Sequence, residues 1–475
     1  MLQIYNTLSR KKEEFKPITE GKVNMYVCGV TVYDYCHLGH ARALIVFDLI
    51  YRYLCYSNYD VTFVRNFTDI DDKIINRSKE QGITWQELTQ KFIQAFHEDT
   101  GALGLRKPTH EPLATDNIQG IIDIITKLEE KGLAYRVDND VFYAVRKFEG
   151  YGKLSGKNIE DLAVGARVDV MEKKRDPLDF ALWKGAKEGE PFWPSPWGDG
   201  RPGWHIECSA MSMRYLTESF DIHGGGRDLI FPHHENEIAQ SEGCSHKQFS
   251  KYWVHNGFVN IDAEKMSKSL GNFLTIRNIL VQYPGEVIRF FILSAHYRSP
   301  LDYTEQNILD AASGLERFYE LKQRLVDYQG DHKDDGLADK VPEFKAGFEK
   351  SMNDDFNSAR VIGQVFEWVR TLNKAIDEEK LSQQTKSQFL EAISNINDAL
   401  GLFGYVPQDY FTEVKNKRTA ANKVSPDEIE KLIGERLDAR KNKDFKRADQ
   451  IRDELAGNGV QLKDNPDGTT GWTII

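Results

Sequence analysis

The hydrophobic and polar positions near the start of the chain predict a strand, a tight turn and a helix. The segment 21–30, "GKVNMYVCGV", has the short apolar core of a strand, and glycines supply a turn. Apolar residues then recur at mostly helical spacing between Ala43 and Leu54. A second strand-like run, rich in Val, Phe and Thr, lies in 59–73. This order predicts a βαβ unit and a parallel sheet.

The middle of the chain changes character and predicts an insertion into that sheet domain. Residues 110–200 contain a helical pattern, a strand-like segment at 138–145 and a Pro/Gly/Trp-rich segment at 191–204. Strand-like segments resume at 219–225 and 252–259. We therefore expect the sheet domain to continue after the insertion.

The last third of the chain has a helical pattern from Asp302 onward. Its apolar residues are spaced by three and four: Ile308, Ala311, Leu315, Phe318, Leu321 and Leu325. The polar segment 328–340 interrupts the pattern, which then continues to about residue 401. A second linker is predicted at 413–428, before a short C-terminal module. The fold class predicted is α/β with an insertion, followed by a helical bundle and that module.

Composition limits the kinds of protein that the chain can be. Its 475 residues predict two to four domains, and no apolar run approaches the roughly 20 residues that span a bilayer. The N-terminal segment lacks an export or transit pattern, so we expect a cytoplasmic protein with five reduced cysteines. The net charge of −11 repels phosphate backbones, so nucleic-acid binding must be local.

The motif "HLGH", His37 to His40, lies where the first predicted strand gives way to a helix. A helix N-terminus offers unpaired N–H groups and a positive dipole end, which attract phosphate, and imidazoles add donors. Gly39 leaves room for a flat base or sugar against the backbone. The alternative is a glycine turn with two surface histidines.

A second motif, "EKMSKSLGN", spans 264–272 and places Lys265 and Lys268 in a short loop rich in Ser and Gly. Two cations on such a loop suit a polyphosphate whose charge grows in the transition state. A solvated basic turn is the alternative. Taken together and in this order, "HLGH" and "KMSKS" resemble the paired motifs of class I aminoacyl-tRNA synthetases.

Candidate metal ligands come from three distant segments. His233 and Glu237 are four residues apart, so on a helix they share one face and can grip one ion. With Cys28 and Cys208 they supply two thiolates, one imidazole and one carboxylate, a set that suits zinc. Spacing alone leaves open the alternative of two buried core cysteines beside a helix with exposed acids.

The acids of "FTDIDDK" also raise the question of a metal site. Asp69, Asp71 and Asp72 lie within four residues at the end of the second strand-like run. We favour a solvated strand end, because the four zinc donors lie elsewhere.

Five segments, in order, resemble the cysteine–tRNA ligase family over nearly the whole chain. They are 26–42, 67–74, 193–211, 220–241 and 265–272. The resemblance implies that Cys28, Cys208, His233 and Glu237 hold one zinc ion. Cys36 fits no such role and is expected to pack in the core.

The resemblance also implies a reaction and its substrates. ATP, with Mg²⁺, would activate L-cysteine as a cysteinyl-adenylate, and the 3′ end of tRNA(Cys) would then accept the cysteinyl group. Zinc prefers a thiolate to a hydroxyl, which would exclude serine. The alternative function is a ligase on the same scaffold that joins cysteine to an amino sugar.

Site roles follow from the same resemblance. The phosphates and nucleotide would contact His37, Gly39, His40, Lys265 and Lys268. The ribose of ATP would meet Asp228, and the amino acid would lie among Cys28, Thr68, Trp204 and His223.

The expected domains combine this resemblance with the pattern. A Rossmann-like catalytic domain covers 1–110 and 201–248, an inserted connective domain 111–200, and a segment with the KMSKS loop 249–305. A helical bundle follows at 306–402, then a tRNA (anticodon)-binding module at 403–475. A monomer is expected.

The last module carries a local basic region. Segment 436–452 has seven basic and three acidic residues, and on one helix Arg436, Arg440, Lys443 and Arg447 would form a stripe. A solvated amphipathic face is the alternative. Trp472 is an aromatic that an anticodon base can stack on, although Gly471 departs from the family's pattern.

Overall fold

The computed structural model describes residues 1–160, 174–261, 264–265, 274–334, 336–421, 426–457, 460–464 and 469–474. Its α-helices within these ranges are α1 (Leu38–Tyr56), α2 (Asp72–Gln81), α3 (Trp85–Ala102), α4 (Ile118–Glu130), α5 (Trp204–Leu216), α6 (Glu235–Ser245), α7 (Ile276–Gln282), α8 (Gly285–Leu293), α9 (Glu305–Asp327), α10 (Leu337–Met352), α11 (Ser358–Asp377), α12 (Gln383–Leu400), α13 (Pro407–Ala421), α14 (Pro426–Lys441) and α15 (Phe445–Gly457). The strands are β1 (Gln3–Asn6), β2 (Lys11–Glu14), β3 (Lys22–Thr31), β4 (Asp60–Thr68), β5 (Ala134–Val137), β6 (Asp140–Tyr143), β7 (Phe180–Gly185), β8 (Gly200–Pro202), β9 (Phe220–Gly226), β10 (Ser250–Asn256), β11 (Val259–Ile261), β12 (Glu264–Lys265), β13 (Leu301–Tyr303), β14 (Val460–Asp464) and β15 (Thr470–Ile474). Among the described residues, no helix is long and apolar enough to cross a membrane.

A parallel sheet of four strands, in the order β10-β9-β3-β4, forms the centre of the molecule. The predicted βαβ unit is confirmed, because α1 joins β3 to β4. The chain leaves β3 for one edge of the sheet and later returns to fill the other edge with β9 and β10. The strand order therefore reverses between β3 and β9, and ligands of such sheets bind at the carboxyl ends beside that point.

The predicted insertion contains an antiparallel sheet, β5-β6-β7-β8, as expected for a separate unit. Its core includes Ile121 and Ile125 of α4 with Leu182 and Trp183 of β7, and it extends to α5 and α6. Strand β10 lies after the predicted end of the catalytic domain at residue 248. The parallel sheet thus continues to Asn256.

The helical half begins slightly later than the pattern indicates. Residues Leu301–Tyr303 form β13, which pairs with β11, and α9 starts at Glu305. The apolar positions predicted on this helix are all buried: Ile308, Ala311, Leu315, Phe318, Leu321 and Leu325. The polar interruption at 328–340 is confirmed in its first part, since α9 ends at Asp327 and α10 begins at Leu337.

The second predicted linker, 413–428, is wrong in its first half. Helix α13 continues to Ala421, because tertiary contacts stabilise it despite its polar composition. Tyr410 is fully buried, Lys417 donates to the carbonyl of Leu280, and Arg418 pairs with Glu316 of α9.

The predicted basic stripe on one helix is also wrong. The helical conformation is interrupted between α14 and α15, where Lys443 has a left-handed φ of 59°. Arg436 and Arg440 both pair with Asp464 of β14, and Arg447 pairs with a glutamate of α14. The charge of these arginines is therefore matched within the module.

Glu286 provides a pH test of how the helical bundle packs. The carboxylate of Glu286 accepts hydrogen bonds from the Tyr319 hydroxyl, at 2.7 Å, and from the backbone N–H of Phe403. Burial raises the pKa of Glu286 from 4.5 to about 7. Because the folded state holds this proton more tightly than the unfolded state, stability is lost as pH rises between those two values.

We predict that Glu286→Gln removes this pH dependence. Between pH 5 and pH 8 the wild type should lose about 2 kcal/mol relative to the variant, measured by thermal unfolding at both pH values. The exposed Glu343→Gln, on α10, makes the same chemical change and should leave the wild-type profile intact. Parallel profiles for wild type and Glu286→Gln would contradict the prediction.

Candidate metal centre and nucleotide cavity

The carboxyl end of β3 approaches β4 closely enough that only glycine fits. A Cβ atom at Gly29 would lie 1.5 Å from the carbonyl oxygen of Asn66. The N–H of Gly29 instead donates to Asn66 Oδ1 at 2.9 Å, and the pairing of β3 with β4 shifts register here. The irregularity lies at Cys28, which is the first predicted metal ligand.

The four predicted zinc ligands lie together. Cys208 is on α5, while His233 precedes α6 and Glu237 lies in its first turn. The Sγ atom of Cys28 lies 3.7 Å from Cys208 Sγ and 3.2 Å from Glu237 Oε1, and His233 Nε2 lies 2.9 Å from the same oxygen. All four ligand atoms lie within 4.8 Å of one another. Two sulfurs, one nitrogen and one oxygen form a donor set that zinc accepts.

A second group of possible ligands shares Cys28 and Glu237 with the first. His223 and His234 complete it, with ligand atoms again within 4.8 Å. His223 Nε2 lies 2.7 Å from Glu237 Oε2, the oxygen opposite the one that faces Cys28 and His233. His223 thereby orients the carboxylate, which is the usual role of a residue behind a metal ligand.

Histidine pairs that the motifs did not single out surround this group. His205 Nδ1 lies 2.9 Å from His233 Nδ1, and His234 Nδ1 lies 2.8 Å from His255 Nε2. Burial lowers the pKa of His255 to about 3 and that of His205 well below its usual value, so both rings are neutral. His205 lies in the first turn of α5 and His255 in β10, and their spacing in the sequence gives no signal of these pairs.

The pKa values of the ionisable groups in this centre are strongly shifted. Burial opposes ionisation of Glu237, but His223 and His233 overcome it and hold the pKa of that carboxyl well below its usual range. A hydrogen bond from Cys28 lowers the pKa of Cys208 to about 6, whereas burial and Cys208 raise the pKa of Cys28. The second thiol would lose its proton only to a bound cation.

A cavity of about 400 Å³ connects the metal ligands to the "HLGH" turn. Cys28 and Trp204 line the cavity, and so do His37, Gly39 and His40. Its other wall contains Asp228 and the backbone after β9 and β10. One continuous space therefore extends from Cys28 to the "HLGH" turn.

The two histidines of the turn cap α1. The backbone N–H of His40 donates to His37 Nδ1 at 3.3 Å, and the N–H of His37 donates to His40 Nδ1 at 3.2 Å. Their rings stack with centroids 3.6 Å apart. This reciprocal arrangement is a capping box with imidazoles in place of the usual hydroxyl and carboxyl.

The remaining predicted site residues divide into two groups. Trp204 is 40% exposed, lines the cavity and stacks on His233 at 4.3 Å. Thr68 and His223 are buried behind the cavity wall, and the Thr68 hydroxyl donates to Glu207 at 2.8 Å. Neither residue is among those that line the cavity, and their predicted contact with the amino acid stays a prediction. Lys265 lies in β12, but its side chain and the whole of Lys268 fall outside the described residues.

The acids of "FTDIDDK" have structural roles, and the predicted solvated strand end is wrong for Asp69 but confirmed for Asp72, which is exposed. Asp69 is buried and accepts two hydrogen bonds from Thr115. Asp71 caps α2, and Asp72 forms an ion pair with Arg201. No metal group among the described residues includes them.

Comparisons with known proteins first define the class. A family model described as "tRNA synthetases class I (C) catalytic domain" matches residues 14–313. The methionyl-tRNA synthetase of Mycobacterium tuberculosis with methionyl-adenylate has a TM-score of 0.56 at 14% identity, covering 84% of this chain and 90% of that one. The LeuRS–tRNA–LeuAMS complex of Agrobacterium radiobacter K84 has a TM-score of 0.59 at 11% identity, covering 84% and 86%. Fold and site thus define a class I aminoacyl-tRNA synthetase.

Full-length relatives then define the family. Cysteine--tRNA ligases of Geobacter metallireducens and Trichlorobacter lovleyi are 54% and 55% identical, each over 100% of this chain and 99% of the relative. Further family models match residues 347–404, a DALR domain, and 424–470, a cysteinyl-tRNA ligase anticodon binding domain. The chain belongs to the cysteine–tRNA ligase family. The alternative of an amino-sugar ligase is set aside.

We predict that Gly29→Ala destabilises the protein by about 2–4 kcal/mol, because the new methyl group overlaps the Asn66 carbonyl and forces the strands apart. Urea unfolding followed by circular dichroism measures this. Gly101→Ala is the matched control, since nothing lies within 4 Å of a Cβ there. It lies in α3 and should stabilise by about 0.5–1 kcal/mol. Equal midpoints for the two variants would contradict the close approach.

Proposed function

We propose that the chain joins L-cysteine to the 3′ end of tRNA(Cys) through a cysteinyl-adenylate, with a zinc ion selecting the thiol. Charging of tRNA with cysteine follows from membership of the family. The observation that carries the finer mechanism is the single cavity lined by Cys28, Trp204, His37 and His40. It can hold an amino acid and a nucleotide end to end.

The buried donor set supports zinc. Cys208 and Glu237 both favour their anionic forms, and the partly buried Cys28 adds a second thiol at the cavity wall. Two buried negative charges close together need a cation to balance them. When bound, zinc supplies a Lewis acid that accepts a thiolate far more readily than a hydroxyl, which accounts for rejection of serine without an editing site.

The residues of the turn supply phosphate binding. His37 and His40 lie at the N-terminus of α1, where the positive end of the helix dipole favours an anion. Gly39 opens the wall at this point. Lys265 and Lys268 are assigned to the leaving pyrophosphate from their motif, and Mg²⁺ would accompany ATP.

The glycines at the end of β9 form part of the cavity wall. A Cβ at Gly226 would lie 2.4 Å from Asp228 Oδ1, so this carboxylate lies directly beside the backbone of the cavity wall. We assign Asp228 to the ribose hydroxyls of ATP. Thr68 and His223 then act indirectly, Thr68 by fixing Glu207 and His223 by orienting Glu237.

Two displacements complete the reaction. The cysteine carboxylate attacks the α-phosphorus of ATP, and pyrophosphate leaves. A terminal ribose hydroxyl of the tRNA then attacks the carbonyl carbon, and AMP leaves. Positioning and charge stabilisation account for the rate without a protein nucleophile.

The setting of the reaction is also part of the proposal. A role in protein synthesis supports a cytoplasmic location for this protein, and a monomer is expected from the family resemblance. The anticodon would meet the module matched at 424–470. Trp472 is less suited to stack on a base than expected, since its N–H donates to Glu430 at 2.6 Å and Lys415 lies 5.4 Å over its ring.

Two assays on the wild-type protein test the proposal. Cysteine-dependent exchange of pyrophosphate into ATP reports adenylate formation, and transfer of labelled cysteine to deacylated tRNA reports charging. We expect both activities, with serine inactive in each. Charging of tRNA without any exchange would contradict the adenylate, and equal use of serine would contradict the zinc mechanism.

We predict that Cys208→Ala loses the zinc ion while Cys36→Ala keeps it. Both cysteines are buried, but Cys36 belongs to the main hydrophobic core and to neither of the ligand groups found among the described residues. Zinc per chain, measured on dialysed protein, should fall from one equivalent to near zero only for Cys208→Ala. Preference for cysteine over serine in exchange should fall from about 10⁴ or more toward about 10². Retention of zinc by Cys208→Ala would favour the group with His223 and His234.

A further inference from the structure

The turn "FTDIDDK" presents one residue to the cavity. Its acids are held in place by the structural contacts described above: Asp69 by Thr115, Asp71 by the first turn of α2, and Asp72 by Arg201. Lys73 follows them and lines the cavity. The function assigned so far does not use this residue, although the surrounding contacts fix the backbone that carries it.

Among the described residues, Lys73 has no ion-pair partner. Its side chain is exposed, and its Nζ atom lies 5.4 Å over the ring of Tyr33, which also lines the cavity. No carboxylate within the described ranges forms an ion pair with it. A cation on an aromatic face is held in position while it keeps its charge available.

Arg65 offers the useful contrast. It is the other cation among the described residues of the cavity wall, but it is buried and pairs with Glu111 at 2.6 Å. Its charge is therefore already matched. Lys73 supplies the uncompensated positive charge on this side of the cavity, in a chain whose net charge is −11.

The location of Lys73 separates it from the nucleotide wall. Asp228 and the segment after β10 belong to the β9–β10 half of the sheet, whereas Tyr33 follows β3 and Lys73 follows β4 at the edge. The point where the strand order reverses lies between the two halves. A phosphate that meets Lys73 thus enters from the β4 edge and not from the side that faces the nucleoside.

We propose that Lys73, positioned by Tyr33, binds a phosphate that enters this edge of the cavity, and that this phosphate is a backbone phosphate of the tRNA 3′ end. The proposal rests on the two-step reaction proposed above. The tRNA terminus must reach the adenylate through an opening of the same cavity, and it carries phosphates at every nucleotide. The phosphates of ATP are the other source of the same chemistry.

The test separates activation from transfer. Lys73→Met should lower kcat/KM for tRNA in charging by about ten- to hundredfold, because a charged hydrogen bond to phosphate is lost. Cysteine-dependent pyrophosphate exchange should stay within twofold of wild type. Lys73→Arg keeps the charge and should restore most of the transfer activity.

Lys79→Met is the matched control. Lys79 is exposed on the same helix and is not part of the cavity wall, so the substitution removes the same charge and the same side chain. It should behave as wild type in both assays. Identical results for Lys73→Met and Lys79→Met would overturn phosphate binding by Lys73.

Salt dependence gives a readout that a structural role would not change. The tRNA end is single-stranded, and each neutralised phosphate contributes about 0.7 to the slope of log affinity against log salt. Lys73→Met should therefore lower the slope of log kcat/KM for tRNA by about 0.7. An unchanged slope with lower activity would overturn the proposal in favour of altered folding.

Tyr33 can be tested by a double-mutant cycle. Tyr33→Phe keeps the aromatic face and should match wild type, whereas Tyr33→Leu should slow transfer. Tyr33→Leu combined with Lys73→Met should be no slower than Lys73→Met alone, because both changes remove one interaction. Full additivity would overturn the role of the ring.

The source of the phosphate and the underlying reaction are distinguished by the same data. Loss of exchange in Lys73→Met with normal transfer from preformed adenylate would assign the cation to ATP and overturn the tRNA assignment. If the wild type itself shows no cysteine-dependent exchange, the adenylate proposal fails, independently of Lys73.

Discussion

The Glu237 carboxylate is fully buried, and its need for compensating partners organises the centre of the molecule. One oxygen lies within hydrogen-bonding distance of Cys28 and His233, and the other of His223. These partners come from β3, from the turn before α6 and from β9. An isolated buried carboxylate would cost several kcal/mol, so the ligands assemble only when the parallel sheet is complete. Formation of the proposed metal site and correct sheet order are therefore linked.

Helix α1 ties that centre to the rest of the chain. His37 and His40 cap its first turn. One turn later Arg42, which is fully buried, donates to the carbonyls of Phe258 and Tyr297. Further along, Asp48 forms a buried ion pair with Arg289 of α8. The "HLGH" turn, the segment after β10 and the helical bundle thus share one rigid element. Movement of the bundle cannot leave the turn unaffected.

The sequence predicted those features that depend on local spacing or on a short motif. Helical spacing identified Leu315 and its neighbours as core, and the residue types at Cys28 and Glu237 indicated a metal set. The basic stripe failed because Arg436 finds Asp464, a partner on a strand that follows a second helix. Likewise, His255 escaped notice because its partners lie on other elements. The positions of these side chains depend on contacts between distant segments, and the periodicity of the sequence carries no information about such contacts.

The reciprocal capping of His37 and His40 fixes the tautomer of both rings. Each Nδ1 accepts a backbone N–H, so its lone pair is occupied and a neutral ring must carry its hydrogen on Nε2. Both imidazoles therefore offer an N–H donor, and neither can act as a proton acceptor at Nδ1 while the cap holds. The helix start therefore selects the tautomer of both rings, which are the two that we propose to contact phosphate.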